Sequence, residues 1–183
     1  MNNLHNAFNE LVATILDLYL YVFLLRILLH AVRADYYNPL SQVILKLTQP
    51  LLKPLQAVLP AWRRFDLAAG VIMFSLTALY IGIMAALWGQ RIGPVDVLFY
   101  TLVKIVVLVL NLYIFGLVIQ AVLSWVGPGF SNPAGNLLWV INEPLLKPVR
   151  RVIPPTGGLD FSPLIVILVL VFVRRLIPLP PIF

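Results

Sequence analysis

Four long apolar runs dominate the pattern of hydrophobic and polar positions along the chain. Because roughly 20 apolar residues suffice for a helix to cross a bilayer, the sequence predicts an all-α membrane protein with four transmembrane helices. The second run has no charged residue, whereas Arg174 and Arg175 interrupt the fourth, which crosses only if both arginines reach the head groups. The predicted spans cover residues 8–32, 67–88, 97–126 and 161–177.

The connections at residues 38–60 and 132–154 have a helical pattern of their own. In the first connection, Gln42, Lys46 and Lys53 recur along one side, and apolar residues recur at helical spacing along the other. This arrangement is typical of an amphipathic helix with an apolar stripe that faces the membrane.

Asparagine and proline punctuate both connections. The asparagine is a good N-cap, and the proline that follows it suits the first helical position. The later prolines lack an N–H and crowd the preceding turn, so we expect two short helical segments bent around the string Pro-Leu-Leu-Lys-Pro. The residues are Asn38, Pro39, Pro50, Lys53 and Pro54 in the first connection and Asn132, Pro133, Pro144, Lys147 and Pro148 in the second.

Two interpretations of these connections stay open. A surface helix would anchor each connection in the head groups. A re-entrant element would instead line a site between the two halves of the chain, where protein or water partners must satisfy the backbone freed by proline. Asp66 and Asp160 precede the next spans, where capping of a helix start explains an acidic residue.

The chain repeats itself. A shift of 94 residues aligns residues 17–66 with residues 111–160 without a gap, and 14 of the 50 aligned positions are identical. We therefore predict a tandem repeat, residues 1–94 and 95–183, in which each copy is a span, an amphipathic proline-kinked helix and a second span. Because each copy contains an even number of spans, both copies have the same orientation in the membrane. A parallel pseudo-twofold axis along the membrane normal would then relate them.

Six polar residues interrupt the first and third spans. Ionisable residues inside a membrane are costly and are candidate functional positions. Glu10 and Asp17 share a helix face, as do Lys104 and Asn111, so an ion pair between the two spans is one interpretation and a cation or proton path is another. The 94-residue shift pairs Glu10 with Lys104, Asp17 with Asn111, and Arg26 with Gln120.

Composition narrows the class of protein. Of 183 residues, 61% are hydrophobic and 11% are charged, and the mean hydropathy of +0.97 excludes a water-soluble fold. The chain has no cysteine and two histidines, so thiolate chemistry and poly-histidine metal sites are excluded. The net charge of +6 lies mostly in the two long connections, which predicts that they are cytoplasmic and that both termini are periplasmic.

The duplicated pattern ends, in the second copy, with Gly157, Gly158, Asp160 and Pro163 in the string Gly-Gly-Leu-Asp-Phe-Ser-Pro. Together with the Asn-Pro and Pro-Leu-Leu-Lys-Pro elements, it resembles the YggT family, also called YlmG, of bacterial and plastid membrane proteins. The resemblance implies a multi-pass protein of the bacterial cytoplasmic (inner) membrane, with relatives linked to osmotic stress, potassium uptake, cell division or envelope organisation. In plastids it implies cytochrome b haem maturation and nucleoid organisation. It carries over no catalytic residue, cofactor or metal.

These observations predict a non-enzymatic membrane scaffold or assembly factor that acts in membrane or envelope organisation or in the biogenesis of a membrane complex. The alternative is a small oligomeric channel or a potassium-uptake component linked to osmotic-stress tolerance. The expected partners are the lipid bilayer with its anionic head groups, and a membrane protein or a second copy of the chain. Nothing in the sequence indicates contact with nucleic acid.

Overall fold

A computed structural model describes residues 2–59, 66–126, 132–153 and 160–178. Within these ranges the chain forms six α-helices and no strand, which confirms the predicted all-α class for this part of the protein. The helices are α1 (Asn2–Ala31), α2 (Pro39–Gln56), α3 (Leu67–Leu87), α4 (Pro94–Val126), α5 (Pro133–Val152) and α6 (Ser162–Leu176).

Three of these helices, α1, α3 and α4, are long and apolar enough to cross a membrane. They coincide with the first three predicted spans. Many of their large apolar side chains point outward, including Leu18 on α1, Leu79 on α3 and Phe115 on α4. An outward apolar surface on long helices is what a hydrocarbon solvent permits, so the fold indicates a membrane protein.

The fourth predicted span corresponds to a helix shorter than the three that coincide with the other spans. Helix α6 has 15 residues, or about 22 Å at 1.5 Å per residue, and is not among the three helices that qualify as spans in the described part of the chain. Arg174 does not extend freely towards head groups, because its Nε donates a hydrogen bond to Asn111 Oδ1 on α4 at 2.6 Å. The location of both termini on one side depends on α6 and stays a prediction.

The prediction that prolines divide each connection into two short helical segments is wrong, and the predicted kink stays a prediction. Helices α2 and α5 each run as one helix with two prolines inside. All four internal prolines lie on exposed helix surface: Pro50, Pro54, Pro144 and Pro148. The carbonyl that loses its partner lies four residues earlier, on the same exposed face. Other donors outside the bundle can reach it there, so the helix continues.

The bundle packs around three apolar clusters. One joins the first four helices around Phe23 and Leu52, both fully buried. A second joins the end of α1 to α2 and α5 and contains Leu29 and Ile141. A third joins α4, α5 and α6 around Leu146. Helices α2 and α5 are therefore fixed to the membrane-spanning helices and to each other.

Candidate functional site

A polar layer crosses the middle of the bundle. The Nζ atom of Lys104 on α4 lies 2.8 Å from Oδ1 and 3.0 Å from Oδ2 of Asp17 on α1. The same ammonium group lies 4.2 Å from the ring centroid of Tyr80 on α3, which is a cation–π contact. Only 6% of the Lys104 side chain is exposed, against 30% of Asp17. The structure thus brings together two of the six intramembrane polar residues and joins three helices through them.

The layer continues to α6. Asn111, 94 residues after Asp17, accepts the hydrogen bond from Arg174, and Arg174 is 94 residues after Tyr80. Asp17 and Tyr80, which both contact Lys104, therefore occupy positions equivalent to Asn111 and Arg174, which contact each other. We use the name polar layer for Asp17, Tyr80, Lys104, Asn111 and Arg174.

The remaining intramembrane polar residues lie apart from this layer. Glu10 is exposed on α1. Arg26 is 8% exposed, and its Nε and Nη1 atoms have no hydrogen-bond partner in the described part of the chain. Gln120 on α4 accepts a hydrogen bond from Asn142 Nδ2 on α5 at 2.8 Å. Sequence reasoning missed Asn142, although the 94-residue shift relates it to Thr48, and both residues are fully buried.

Helix α2 has three faces. Ser41, Thr48 and Leu52 form part of a packed face. The predicted membrane-facing stripe is largely exposed, as Val43 and Leu47 show. The predicted polar stripe is also exposed and consists of Gln42, Lys46, Gln49 and Lys53. The helix therefore presents an apolar surface and a basic surface to its surroundings at the same time.

Helix α5 also has a packed face and an exposed polar side, but Trp139 and Val152 are its exposed large apolar residues among those described. Its packed face includes Leu137, Ile141 and Leu146. Trp139 is 52% exposed and Lys147 is exposed. The side chain of Arg150 turns back instead and binds Glu143 at 2.7 Å and Asp160 at 2.8 Å. The exposed positive charge of α5 therefore comes from Lys147 and Arg151.

Caps hold both amphipathic helices in place. The Asn38 side chain accepts a hydrogen bond from Leu40 N at 2.9 Å, and Asn132 caps α5 by accepting from Gly135 N. Pro39 and Pro133 occupy the first helical positions. The Nδ2 atom of Asn38 also donates to the Pro133 carbonyl at 2.7 Å, which ties the start of α2 to the start of α5.

Two aspartates that are 94 residues apart, Asp66 and Asp160, lie at the starts of α3 and α6. Asp66 accepts from Ala69 N and from Gln56 Nε2, the latter at 2.8 Å. Asp160 accepts from Ser162 N at 2.9 Å and from Arg150 Nε. Each aspartate therefore links an amphipathic helix to the helix that follows it.

Burial alone would raise the pKa of the Asp160 carboxyl. Hydrogen bonds from Ser162 and Arg150, together with the charge of Arg150, act in the opposite direction and hold that pKa below its ordinary value. Pro163 is buried in the first turn of α6, whereas Gly157 and Gly158 lie outside the described residues.

Two cavities adjoin the amphipathic helices. The central cavity, about 390 Å³, lies between α1, α2, α4 and α5 and is apolar apart from Asn142. The side cleft, about 620 Å³, lies between the end of α1 and one side of α5, and its walls include Arg33 and Lys147. No group of three His, Asp or Glu side chains that could hold a metal ion occurs among the described residues.

These features define an α-helical membrane protein in which two amphipathic helices are fixed to membrane-spanning helices. The chain belongs to the CCB3/YggT family, whose model matches residues 5–87 and 99–180.

Two similar bacterial proteins match most of the chain, and a plant protein matches a third of it. An uncharacterized protein of Pseudomonas aeruginosa is 38% identical over 179 residues, which are 97% of this chain and 91% of the relative. YggT of Escherichia coli strain K12 is 36% identical over 166 residues, 90% of this chain and 86% of that protein. YlmG homolog protein 2, chloroplastic, of Arabidopsis thaliana is 42% identical over 64 residues, 33% of this chain and 24% of its own. No solved structure matches the chain.

Proposed function

We propose that this protein is a non-enzymatic membrane scaffold or assembly factor, with α2 and α5 as its working surfaces. The observation that carries the proposal is the form of these helices: each packs one face on the bundle and exposes basic residues, and α2 also exposes an apolar face. An exposed apolar face beside a basic face suits the boundary between acyl chains and anionic head groups. The outward basic face then remains available to a partner protein.

The arrangement supplies a rigid platform. A free amphipathic helix binds a membrane reversibly, and its orientation is set by the lipid alone. Here the buried side chains of Leu52 and Leu146 anchor the two helices to the spans. Lys53 and Lys147, each one position further along, are therefore held in fixed places relative to the bilayer. Fixed charges at a membrane surface select partners by electrostatic complementarity.

We also infer that the two working surfaces arose by the predicted tandem duplication. Supporting this, α2 and α5 begin 94 residues apart, at Pro39 and Pro133. The bond from Gln56 to Asp66 and the bond from Arg150 to Asp160 are also 94 residues apart at both ends. A protein with two such surfaces is suited to binding two partners, or one partner at two points.

The proposed location is the cytoplasmic side of a bacterial inner membrane. Basic residues concentrate in and beside α2 and α5, and short loops rich in lysine and arginine stay in the cytoplasm. These residues are Arg33, Lys46, Lys53, Lys147, Arg150 and Arg151. The amino terminus, which precedes the first span, is then periplasmic.

Cysteine accessibility tests this proposal, because the native chain has no cysteine and a single introduced thiol reports cleanly. Single cysteines at Gln42, Lys53, Leu51, Asp17 and Asn111 are to be probed with a membrane-impermeant thiol reagent in intact cells and in inverted vesicles. We expect strong labelling at Gln42 and Lys53 from the cytoplasmic side only, and little at Leu51, because lipid covers the apolar face. Equal labelling at Leu51 and Lys53 would contradict an interfacial helix.

Charge reversal tests the role of the basic surfaces. We expect the double variant Lys53→Glu and Lys147→Glu to insert normally and to lose at least tenfold in crosslinking to its membrane partners, because both side chains are exposed and make no intramolecular ion pair in the described residues. The control is Arg91→Glu, an exposed charge between α3 and α4, away from both helices. Unchanged crosslinking in the double variant would contradict the scaffold role.

A second candidate, the ion-uptake component, draws support from the polar layer. Polar side chains that connect α1, α4 and α6 inside the bundle are the type of feature that marks an ion path. Labelling of cysteine at Asp17 or Asn111 would mean that water reaches this layer. Potassium or proton flux in vesicles containing the purified protein, lost in Asp17→Asn, would then favour uptake over the scaffold.

A further inference from the structure

Helix α1 ends in a conformation that ordinarily calls for glycine. Arg33 has a φ of 54°, in the left-handed region. Its N–H donates to the His30 carbonyl at 3.2 Å, and the N–H of Ala34 donates to the Leu29 carbonyl at 2.9 Å. These two bonds are the Schellman motif, in which the left-handed residue is usually glycine because a Cβ is disfavoured there.

The same chain uses glycine for this purpose elsewhere. Helix α3 ends in an identical pair of bonds, from Gly89 to Ala86 and from Gln90 to Ala85, and Gly89 has a φ of 65°. The position 94 residues after Arg33 is also glycine, Gly127. An arginine placed merely to set topology could lie anywhere in the connection. A strained position of this kind points to a local role for the side chain.

Arg33 borders the side cleft. The opposite wall, on α5, carries Lys147 and Glu143. Glu143 is bound to Arg150 at 2.7 Å, but Arg150 also binds Asp160 at 2.8 Å, so the charge of Glu143 is only partly compensated. Arg33 and Lys147 are exposed and make no ion pair in the described part of the chain. The cleft therefore presents two cations and one carboxylate whose charge Arg150 partly compensates, and its net charge is positive.

The rest of the cleft is apolar. Its walls include Leu28, Val32 and Val140, together with the aromatic side chains of Tyr113 and Trp139. Tryptophan and tyrosine favour the level of the head groups, where apolar and polar surroundings meet. Basic pockets between helices on the cytoplasmic side bind anionic lipid head groups. An inorganic anion would leave this apolar wall without a partner.

We propose that the side cleft binds one anionic glycerophospholipid. Its phosphodiester lies between Arg33 and Lys147, and an acyl chain lies along Leu28, Val32 and Val140. The volume of about 620 Å³ holds a head group and the upper part of a chain, and the remainder of the lipid continues into the bilayer. The site shares Lys147 with the proposed scaffold surface, whereas Arg33 lies outside α2 and α5, so Arg33→Gly tests the lipid site without changing that surface.

The test uses the delipidated full chain in detergent. Phosphatidylglycerol and phosphatidylcholine with identical acyl chains are added separately, and bound lipid is counted by native mass spectrometry. We expect the wild type to prefer phosphatidylglycerol by at least about tenfold, since two cations each contribute roughly fivefold. Arg33→Gly and Lys147→Gln should each reduce that preference by about fivefold.

The choice of variants separates binding from folding. Glycine suits the left-handed backbone at position 33, so Arg33→Gly should unfold at the same or a higher temperature without lipid while it loses lipid preference. The matched control is Lys53→Gln, the equivalent lysine of the first copy, which lies outside the cleft. Its lipid preference should equal that of the wild type.

Three results would overturn the proposal. The first is an equal preference in the wild type and in both Arg33→Gly and Lys147→Gln. The second is binding of phosphatidylcholine or phosphatidylethanolamine as tight as that of phosphatidylglycerol. The third is displacement of the lipid by equimolar glycerol phosphate, which would show that the head group alone is recognised. None of these results bears on the accessibility of α2 and α5.

Discussion

Lys104 and Asp17 illustrate how single residues act inside this bundle. The ammonium group lies within 3.0 Å of both carboxylate oxygens and over the ring of Tyr80. Removal of one member of a buried ion pair leaves an uncompensated charge, which costs far more than the pair contributes. We expect Lys104→Met to lower the free energy of unfolding by about 3 kcal/mol, measured by thermal unfolding in detergent.

Replacement of both Asp17 and Lys104 tests why Lys104→Met should lose stability. In the double variant Asp17→Leu and Lys104→Met no charge is left behind, so most of the lost stability should return. A double variant as unstable as Lys104→Met alone would mean that the pair matters for its shape or for a water path rather than for charge balance. Helical periodicity made an ion pair between α1 and α4 one of two interpretations of these residues, but no local signal indicated that Arg174 would bind Asn111.

At the scale of elements, the link between α5 and α6 depends on the ionised form of Asp160. Because the folded-state pKa of Asp160 lies below its ordinary value, the link stabilises the protein above the ordinary aspartate pKa of about 4 and is lost as the pH falls below it. Wild-type stability should therefore decrease with acid more steeply than that of Asp160→Asn. The difference should be no more than about 1 kcal/mol, because the pair is partly exposed and screened by salt.

Thermal unfolding at pH values between 3 and 7 measures this difference. Asp66→Asn is the control, because Asp66 is held by the neutral amide of Gln56 in place of an arginine. Parallel pH curves for the wild type and Asp160→Asn would contradict the assigned link. The position of Asp160 near a helix start could be predicted from the sequence, but its arginine partner on α5 could not.

Helices α2 and α5 show that the rule that proline breaks a helix can fail inside a packed bundle. Proline predicts a break because it removes one hydrogen bond and crowds the preceding turn. That rule treats the helix as isolated. In the bundle the packed face is held by buried side chains, such as Leu52, and the prolines lie on the exposed side. Packing of the buried face therefore offset the cost of proline inside the helix, which from the sequence pattern alone would end the helix.

At the scale of the whole molecule, the central cavity lies where equivalent positions of the two halves carry side chains of different size. Leu25, Val43 and Ile44 line it from the first half, and their equivalents 94 residues later line it from the second. The lining residue Ala134 is 94 residues after Leu40 and leaves space that a leucine would fill. We expect Ala134→Leu to raise the free energy of unfolding by about 1 kcal/mol, measured by thermal unfolding in detergent.

Gly116 lines the same cavity and supplies the contrast. A Cβ at Gly116 would lie 3.3 Å from Asn142 Oδ1 and 3.5 Å from a Leu138 methyl group. Gly116→Val, which introduces the residue found 94 positions earlier, should therefore destabilise the protein by about 1–3 kcal/mol. Destabilisation by Ala134→Leu of the same size would mean that the cavity is already closed.

Sequence patterns were enough to predict the all-α class, the three long apolar helices among the four predicted spans, the amphipathic character of α2 and α5 and the asparagine caps. These follow from periodicity and capping, which depend on residues within a few turns of one another. Three features could be seen only in the folded chain: the proline helices stay continuous, Arg174 binds Asn111, and Arg33 and Lys147 line one cleft. Such outcomes depend on which faces of distant helices meet, and a pattern along one chain does not record the rotation of one helix against another.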